Sequence, residues 1–354
     1  MKGLILSGGK GTRLRPITFT SAKQLVPVAN KPILFYGIEA IRDAGITDVG
    51  IVVGETRNEI KAAVGDGSAF GIRVTYIEQE APLGLAHAVK VSRDFLQNDV
   101  FVMFLGDNLI KQGITRLVEE FTQEKPNCMI LLAEVGNPSE FGVAELRSGR
   151  VFRLEEKPKK PASNLALVGV YMFDSSVFEA VDNIKPSWRN ELEITDAIQY
   201  LIDKKLDVRS HTITGWWKDT GKLEDLLEAN RMILLDQEAR IEGTVDGKSE
   251  VQGSVVVGKD SRVIDSVLRG PLIVGQGCEI EHAYVGPFTS ILDNVTIRKS
   301  EIEHSIVLTG SKILEIGCRI QGSLIGRDSE IVKVSRKPHC FSFMVGDSSR
   351  IEVA

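Results

Sequence analysis

The segment SGGKGTRLRP at 7–16 has the composition of a turn that binds an anion. Its three glycines directly follow a strand-like apolar run, and glycine lets backbone N–H groups approach and surround a phosphate. Arg13 lies in the loop and Lys23 follows ten residues later, so two cations are available to an anionic ligand. The dinucleotide-binding fingerprint does not fit, because Leu14 replaces its third glycine, and the Walker pattern does not fit either, because glycine follows Lys10. The alternative is a tight strand-to-helix turn.

Two aspartates and a lysine are further candidates for phosphate chemistry. Asp107 comes at the end of the apolar run 100–108, and open α/β sheets bind ligands at the carboxyl ends of their strands. With Asp219 as a second carboxylate, such a site suits Mg²⁺, which prefers oxygen ligands and binds protein and phosphate together. The alternative for Asp107 is a strand-ending turn. Lys157, in the sequence EEKP, is either a surface lysine or a contact for a phosphate.

Short apolar runs alternate with helical patterns up to about residue 235. Because these runs do not alternate with polar residues, we expect strands that are buried on both faces and joined by helices in right-handed βαβ crossovers. The prediction is an α/β, Rossmann-like doubly wound domain over residues 1–237. Its predicted strands lie within 3–9, 47–54, 73–79, 100–108 and 127–135.

Helix signals are clear at two places. Pro32 suits the first helical position, apolar residues follow it at helical spacing, and Gly45 suits the C-terminal cap. A last helix over Leu223–Leu235 places Asn230 on its apolar face. Trp217, shortly before this helix, is interpreted as a core residue.

The pattern changes from Ile241 onward to short units of an aliphatic residue, glycine, two variable residues and Ser, Thr or Cys. A longer echo, EIEHAYV at 279–285 and EIEHSIV at 301–307, accompanies them. Such hexads predict a left-handed parallel β-helix over residues 238–354, in which each short strand turns one aliphatic residue inward. The alternative is a β-sandwich. Because the spacing of the units is irregular, we expect loops or bulges to interrupt the coils.

His282 and His304 occupy the same place in this echo. Some hexapeptide β-helices belong to acyltransferases that use a histidine base. A catalytic histidine is normally a single one, whereas a repeated one marks a repeated structural position. We therefore interpret both as structural.

Composition excludes several classes of protein. The 354 residues include 43 Lys and Arg and 48 Asp and Glu, a net charge of −5, which argues against nucleic acid as the main partner. Apolar runs are far shorter than the ~18–20 residues of a membrane helix. The scattered Cys128, Cys278, Cys318 and Cys340 form no zinc motif. We expect a cytoplasmic protein with reduced thiols and no membrane partner.

A set of longer motifs resembles the sugar nucleotidyltransferase family, which joins a sugar 1-phosphate to a nucleoside triphosphate and releases pyrophosphate. Within the family, the motifs are most similar to members that transfer a thymidylyl group to glucose 1-phosphate, in the long form with C-terminal repeats. The resemblance covers residues 1–235. It rests on GGKGTRLRP, AKQLVPVANKP at 22–32, EQEAPLGLAHA at 78–88, FLGDN at 104–108, FGVAEL at 141–146, LEEKP at 154–158, ELEITDAI at 191–198 and WKDTG at 217–221.

The resemblance implies a role for each of the matched residues. The triphosphate of dTTP would be bound by the glycine-rich turn, with Arg13 and Lys23 on its phosphates, while Gln79 and the backbone at Gly84 face the base. Asp107 and Asp219 would hold Mg²⁺, and Lys157 would contact the sugar phosphate. Further nucleotide contacts would come from Leu6, Gly8, Gly9, Gly11 and Thr12, and further sugar-phosphate contacts from Asn108, Gly142, Glu156 and Val168.

The implied reaction is an in-line attack of glucose 1-phosphate on the α-phosphorus of the triphosphate. A phosphate monoester is mostly dianionic at neutral pH, since its second pKa is about 6, so no protein base is required. The base contacts leave UTP open as an alternative to dTTP, because one methyl group discriminates by only ~1–3 kcal/mol. The same motifs also fit a different sugar 1-phosphate, or a catalytically silent regulatory subunit that binds nucleotide sugars. We expect a homo-oligomer, with a trimer as one option.

Overall fold

The computed structural model describes residues 1–335 and 341–353. The chain divides into two compact units. The first unit contains Met1–Lys10, Ser21–Leu25 and Ile33–Asp219, and the second contains Gly11–Thr20, Val26–Pro32 and the chain from Thr220 onward.

The strands up to residue 219 are β1 (Lys2–Ser7), β2 (Pro27–Val28), β3 (Lys31–Pro32), β4 (Asp48–Val53), β5 (Arg73–Glu78), β6 (Phe101–Leu105), β7 (Asn108–Ile110), β8 (Cys128–Glu134), β9 (Gly142–Arg147), β10 (Arg150–Glu156), β11 (Leu165–Phe173), β12 (Val208–Thr212) and β13 (Trp217–Asp219). The helices are α1 (Ile33–Asp43), α2 (Arg57–Val64), α3 (Leu85–Val91), α4 (Arg93–Leu96), α5 (Thr115–Glu124), α6 (Val177–Asn183), α7 (Ile194–Asp203) and α8 (Leu223–Leu234). The later strands are β14 (Arg240–Ile241), β15 (Thr244–Val245), β16 (Glu250–Gln252), β17 (Val255–Val257), β18 (Arg262–Ile264), β19 (Val267–Arg269), β20 (Leu272–Val274), β21 (Glu279–Glu281), β22 (Tyr284–Val285), β23 (Thr289–Ile291), β24 (Thr296–Arg298), β25 (Glu301–Glu303), β26 (Ile306–Val307), β27 (Lys312–Leu314), β28 (Ile320–Gln321), β29 (Leu324–Ile325) and β30 (Glu330–Val332).

The first unit is built on one large sheet with the strand order β10-β9-β11-β6-β1-β4-β5, to which β8 and β12 add beside β11. The strands β6, β1, β4 and β5 are parallel, as the sequence predicts. From Gly3 to Ser7, β1 is buried at every position, which explains its run of apolar residues without alternation. The Rossmann-like α/β core is therefore confirmed.

The other half of the sheet is antiparallel, which the sequence analysis did not predict. β11 runs antiparallel to β6, β8 and β9, and β9 and β10 form a hairpin. The hairpin turns at Ser148 and Gly149, which both have positive φ, as a tight two-residue turn requires. Predicted parallel crossovers fail in this half, since β8 pairs with antiparallel β11.

Both predicted helices are present, with small shifts at their ends. α1 begins at Ile33, one residue later than predicted, because Pro32 pairs with Pro27 in the β2–β3 ribbon. Gly45 ends this region with a φ of 80°, the left-handed conformation expected of a C-terminal glycine. α8 ends at Leu234, one residue before the predicted end.

In the second unit the chain forms three stacked sheets of parallel strands, as expected for a left-handed β-helix. Val255 pairs with Leu272 and Leu272 pairs with Thr289, so each of these coils takes 17 residues. The predicted interrupting loops are absent from these coils: the irregular spacing arises because a coil is one residue shorter than three hexads. Each sheet turns aliphatic side chains inward, and one fully buried column consists of Val263, Ile280, Ile297 and Ile313.

Asn230 on α8 is a fully buried polar residue in the second unit. Its Oδ1 accepts the N–H of Ala29 at 2.8 Å and the hydroxyl of Ser290 at 2.6 Å. Its Nδ2 donates to the carbonyl oxygen of Phe288 at 2.9 Å. The side chain thus links helix α8, the β2–β3 turn and the segment around β23 through hydrogen bonds.

The two repeated histidines each follow a strand and have positive φ, 50° at His282 and 45° at His304. The Nδ1 atom of His282 lies 2.9 Å from a carboxylate oxygen of Asp265, the residue of the preceding coil with the same backbone conformation. His304 packs edge-on against Phe288. These contacts are those of corner residues in a repeat.

Among the described cysteines, Cys128, Cys278 and Cys318 have free thiols, while Cys340 lies outside the described residues. Burial raises the pKa of Cys278 to about 11. Within residues 1–335 and 341–353, no helix is long and apolar enough to cross a membrane.

Candidate active site

A small antiparallel ribbon in the first unit brings the two predicted metal-binding aspartates to one place. β7 follows directly after Asp107 and pairs with β13, so that Asp219 lies opposite Asn108. Directly opposite residues on an antiparallel pair have side chains on the same face, with Cβ atoms about 4.5–5.5 Å apart. The Asp219 and Asn108 side chains are therefore neighbours, and Asp107 is the next residue.

The Asp107 carboxylate contacts the Lys23 ammonium in an ion pair that is largely shielded from solvent. Burial opposes ionisation of Asp107, but the charge of Lys23 and its hydrogen bond outweigh this effect. The pKa of Asp107 is consequently lowered from its usual value. The carboxylate is therefore anionic at neutral pH and matched to a cation.

Asn108 connects Asp107 to the ribbon. Its Nδ2 donates to Oδ1 of Asp107 at 3.0 Å, and its Oδ1 accepts the indole N–H of Trp217 at 2.5 Å. A Cβ atom at Gly169 would lie 2.7 Å from the Asn108 side chain, so the glycine is required for this buried amide to fit. The prediction that Trp217 is a core residue is incomplete, because its indole also orients the site.

The donor set fits a divalent metal ion of the hard, oxygen-binding kind. Asp107 Oδ1 receives the Asn108 amide, and Asp219 lies beside that amide on the same ribbon face. Nowhere in the described residues do three or more His, Cys, Asp or Glu side chains gather as a metal cluster. Two carboxylates without a third protein ligand suit Mg²⁺, which keeps waters and binds substrate phosphates.

A second group of predicted residues meets around Gln79. Its Nε2 lies 3.1 Å from the Gly84 carbonyl oxygen, and its Oε1 lies 3.3 Å from the position that a Cβ atom at Gly8 would occupy. Gly84 has a φ of 103°, and a Cβ atom there would lie 2.3 Å from the Leu192 carbonyl oxygen. Gly8, Gln79 and Gly84 therefore form one recess with backbone and amide groups, in which only glycine fits at position 84.

A third group surrounds Glu156 at the end of β10. A Cβ atom at Gly142 would lie 3.1 Å from Oε2 of Glu156, and the Thr195 hydroxyl is 3.4 Å from the same atom. Burial and the neighbouring Glu193 raise the pKa of Glu156. Arg189, with guanidinium nitrogens 3.6 Å from Glu156 and 3.4 Å from Glu193, supplies positive charge.

Lys157, Val168 and Leu6 offer ligands different groups. Lys157 adopts a φ of 42°, a conformation that is rare for a residue with a side chain and that clusters at functional sites. The Val168 side chain is fully buried in the core, so a ligand can meet only its backbone. The backbone carbonyl of Leu6 already accepts the N–H of Gly106 at 2.9 Å.

The glycine-rich turn is divided between the two units. Gly9 packs against Lys23 in the first unit, 3.9 Å from its Cε to the position of a Cβ atom. Gly11, Thr12 and Arg13 belong to the second unit, where Gly11 has a φ of 62° and begins the 3-10 turn Thr12–Leu14. In that unit, a Cβ atom at Gly221 would lie 2.5 Å from the Arg13 guanidinium.

Three polar residues at these groups were missed by the sequence analysis. Arg189 stands two residues before the quoted motif ELEITDAI, and a cation next to an acidic motif was an available signal. Gln24 is buried, and its Oε1 has no hydrogen-bond partner within the described residues. His87 lies within the motif EQEAPLGLAHA, and its Nδ1 is 3.1 Å from Nε2 of Gln79.

Comparisons with known proteins agree with this geometry. A family model described as nucleotidyl transferase matches residues 2–235. Glucose-1-phosphate thymidylyltransferase from Streptomyces antibioticus is 56% identical over 355 residues, covering 100% of this chain and 99% of that protein. A Bacillus anthracis protein assigned as a glucose-1-phosphate thymidylyltransferase, crystallised with a sucrose, matches with 38% identity and a TM-score of 0.62, covering 66% of this chain and 94% of that one. A UDP-glucose pyrophosphorylase complexed with UDP-glucose matches with 26% identity and a TM-score of 0.59, covering 67% and 99%.

Proposed function

Because this chain belongs to the nucleotidyl transferase family, we propose that it transfers a thymidylyl group from dTTP to α-D-glucose 1-phosphate and releases pyrophosphate. The observation that carries this proposal is the β7–β13 ribbon, which puts Asp219 opposite Asn108 and next to the Asp107–Lys23 pair. Two carboxylates and a lysine at the carboxyl end of β6 suit the reaction of two phosphorylated substrates.

In this mechanism an oxygen of the sugar phosphate attacks the α-phosphorus in line with the departing pyrophosphate. Mg²⁺ held by Asp107 and Asp219 would neutralise phosphate charge. Lys23 and Lys157 bind phosphate oxygens and reduce the repulsion between the two anions. The role of Arg13 on the triphosphate rests on its place in the GGKGTRLRP motif.

The remaining residues select and orient the two substrates. Gln79 and the backbone at Gly84 face the base, and Gly8 leaves room for it. Glu156 accepts hydrogen bonds from sugar hydroxyls, while Gly142 keeps space beside that carboxylate. The Asn108 amide, held by Trp217, contacts the sugar phosphate, and the Val168 backbone completes this side.

UTP is the second candidate donor, because the similar solved structures include a UDP-glucose pyrophosphorylase and one methyl group separates thymine from uracil. The test measures pyrophosphate release from glucose 1-phosphate with dTTP, UTP, dCTP, ATP and GTP, with and without EDTA. We expect release with dTTP and, more weakly, with UTP, and no release with EDTA. No release with any triphosphate, together with binding of nucleotide sugar, would favour the regulatory subunit instead.

We also propose that residues 1–237 carry the transfer reaction and that the β-helix of residues 238–354 builds a homo-oligomer, with a trimer as the first state to test. A cytoplasmic location agrees with substrates that are made inside cells. Light scattering on the full chain gives the mass of the assembly directly. A monomer at micromolar concentration would contradict the oligomer proposal.

Substitution of the two β-helix histidines is predicted to leave transfer unchanged. His282→Ala and His304→Ala remove corner side chains whose contacts are Asp265 and Phe288, and none of the proposed catalytic residues. We expect kcat/KM for dTTP within about twofold of the unsubstituted protein, the scatter of a surface change. A loss of transfer beyond tenfold in a folded variant would contradict the structural role.

A further inference from the structure

His87 on the first turn of α3 contacts the residue proposed to face the base. Nε2 of Gln79 lies 3.1 Å from the Gly84 carbonyl oxygen and 3.1 Å from Nδ1 of His87. A carbonyl oxygen only accepts hydrogen bonds, so the nitrogen of the Gln79 amide must face Gly84. The same nitrogen faces His87, so Nδ1 must also accept. The imidazole is therefore neutral, with its proton on Nε2.

The surroundings of His87 favour this neutral form. Burial and the ammonium group of Lys90 lower the pKa of His87. The neighbouring helices add charges that pair with one another: Lys90 and Arg93 with Asp182 of α6, at 3.2 Å and 2.6 Å, and Glu193 beside α7 with Arg189, while α7 also carries Asp196. Lys90 is the charge that shifts the titration of His87, and it acts against protonation.

We propose that neutral His87 is a positioning residue that fixes the Gln79 amide for recognition of a base with an imide N–H. With Nε2 held by His87 and Gly84, Oε1 turns toward Gly8 as a hydrogen-bond acceptor. Thymine and uracil present an N–H between two carbonyls, whereas cytosine presents an acceptor at the same ring position. The inference rests on the proposed function, in which Gln79 faces the base, and it makes His87 part of the discrimination against cytosine.

Protonation of His87 reverses this arrangement. An N–H on Nδ1 would face the N–H of Gln79, so the amide would turn and remove Oε1 from the recess. Since the pKa of His87 lies below its usual value of about 6.5, the effect belongs to acidic pH. Binding of dTTP should then weaken as the pH falls, and the preference for dTTP over dCTP should decrease.

The test measures KM and kcat for dTTP and dCTP from about pH 5 to 8 in His87→Leu and His87→Asn, each divided by the unsubstituted protein at the same pH so that substrate titration cancels. Leucine removes the acceptor, while asparagine puts an acceptor, Oδ1, in place of Nδ1 without a titrating group. His211→Asn, at a half-exposed histidine beside Glu120, is the control.

At neutral pH we expect His87→Leu to raise KM for dTTP about three- to tenfold, the value of one oriented hydrogen bond, with little change in kcat. His87→Asn should match the unsubstituted protein there and bind dTTP better than it at acidic pH. Equal KM values and equal pH profiles for all proteins would overturn the inference. Absence of transfer in the unsubstituted protein would instead refute the proposed function.

Discussion

Asp107→Asn is expected to lower kcat/KM for pyrophosphate release by about a thousandfold or more, the scale of a lost electrostatic contact to the transition state. The substitution keeps the size of the side chain and removes the charge that contacts Lys23 and would hold the metal ion. Initial rates at saturating and at limiting Mg²⁺ measure the effect, because loss of a metal ligand changes the metal dependence as well as the rate.

Two further variants separate catalysis from folding. Asp94→Asn makes the same change at an exposed aspartate of α4 and should leave the rate unchanged. Adding Lys23→Met to Asp107→Asn removes the buried ammonium, so this double variant should recover thermal stability but no activity. Asp107→Asn with nearly normal turnover at limiting Mg²⁺ would show that Asp107 holds no metal ion.

Asn230→Leu is expected to destabilise the second unit by about 3–5 kcal/mol. Leucine has a similar size but leaves the N–H of Ala29, the hydroxyl of Ser290 and the carbonyl of Phe288 without the Asn230 amide. Each buried polar group that loses its partner costs about 1–3 kcal/mol. Urea unfolding followed by circular dichroism gives the shift of the midpoint.

The control for this variant is Asn183→Leu, at an exposed asparagine of α6 whose amide bonds only the Glu179 carbonyl within its own helix. We expect a change below about 0.5 kcal/mol there, as for most surface substitutions. If the two variants unfolded at the same urea concentration, the Asn230 hydrogen bonds would not hold the second unit together.

Local signals were sufficient where an element depends on its own residues. The helical spacing of Ile33, Ile38 and Ile41 and the glycine at 45 predict α1 within one residue. The direction of β11 could not be predicted in this way, because an apolar run has no polarity and its direction depends on the strands that it meets. The 17-residue coil was likewise hidden, since the sequence shows motifs but not their pairing.

The site shows the same division. Asp107 was recognisable because it ends an apolar run, whereas its proximity to Asp219 came only from resemblance to a family. No local pattern predicts that two three-residue strands, β7 and β13, pair. The hydrogen bond from Trp217 to Asn108 could not be foreseen either, because the spacing of an aromatic residue indicates burial and does not show where its N–H points.

The uniform coil of the β-helix has a consequence for how such a chain can change its length. Duplication of a whole turn, 17 residues within the run from Val255 to Thr289, would leave every later ladder in register and add one layer to the stack. Insertion of a single hexad would move each following aliphatic residue onto a different wall of the prism. The unit of growth in this domain is therefore the complete turn, although the shorter motif is the one that is visible in the sequence.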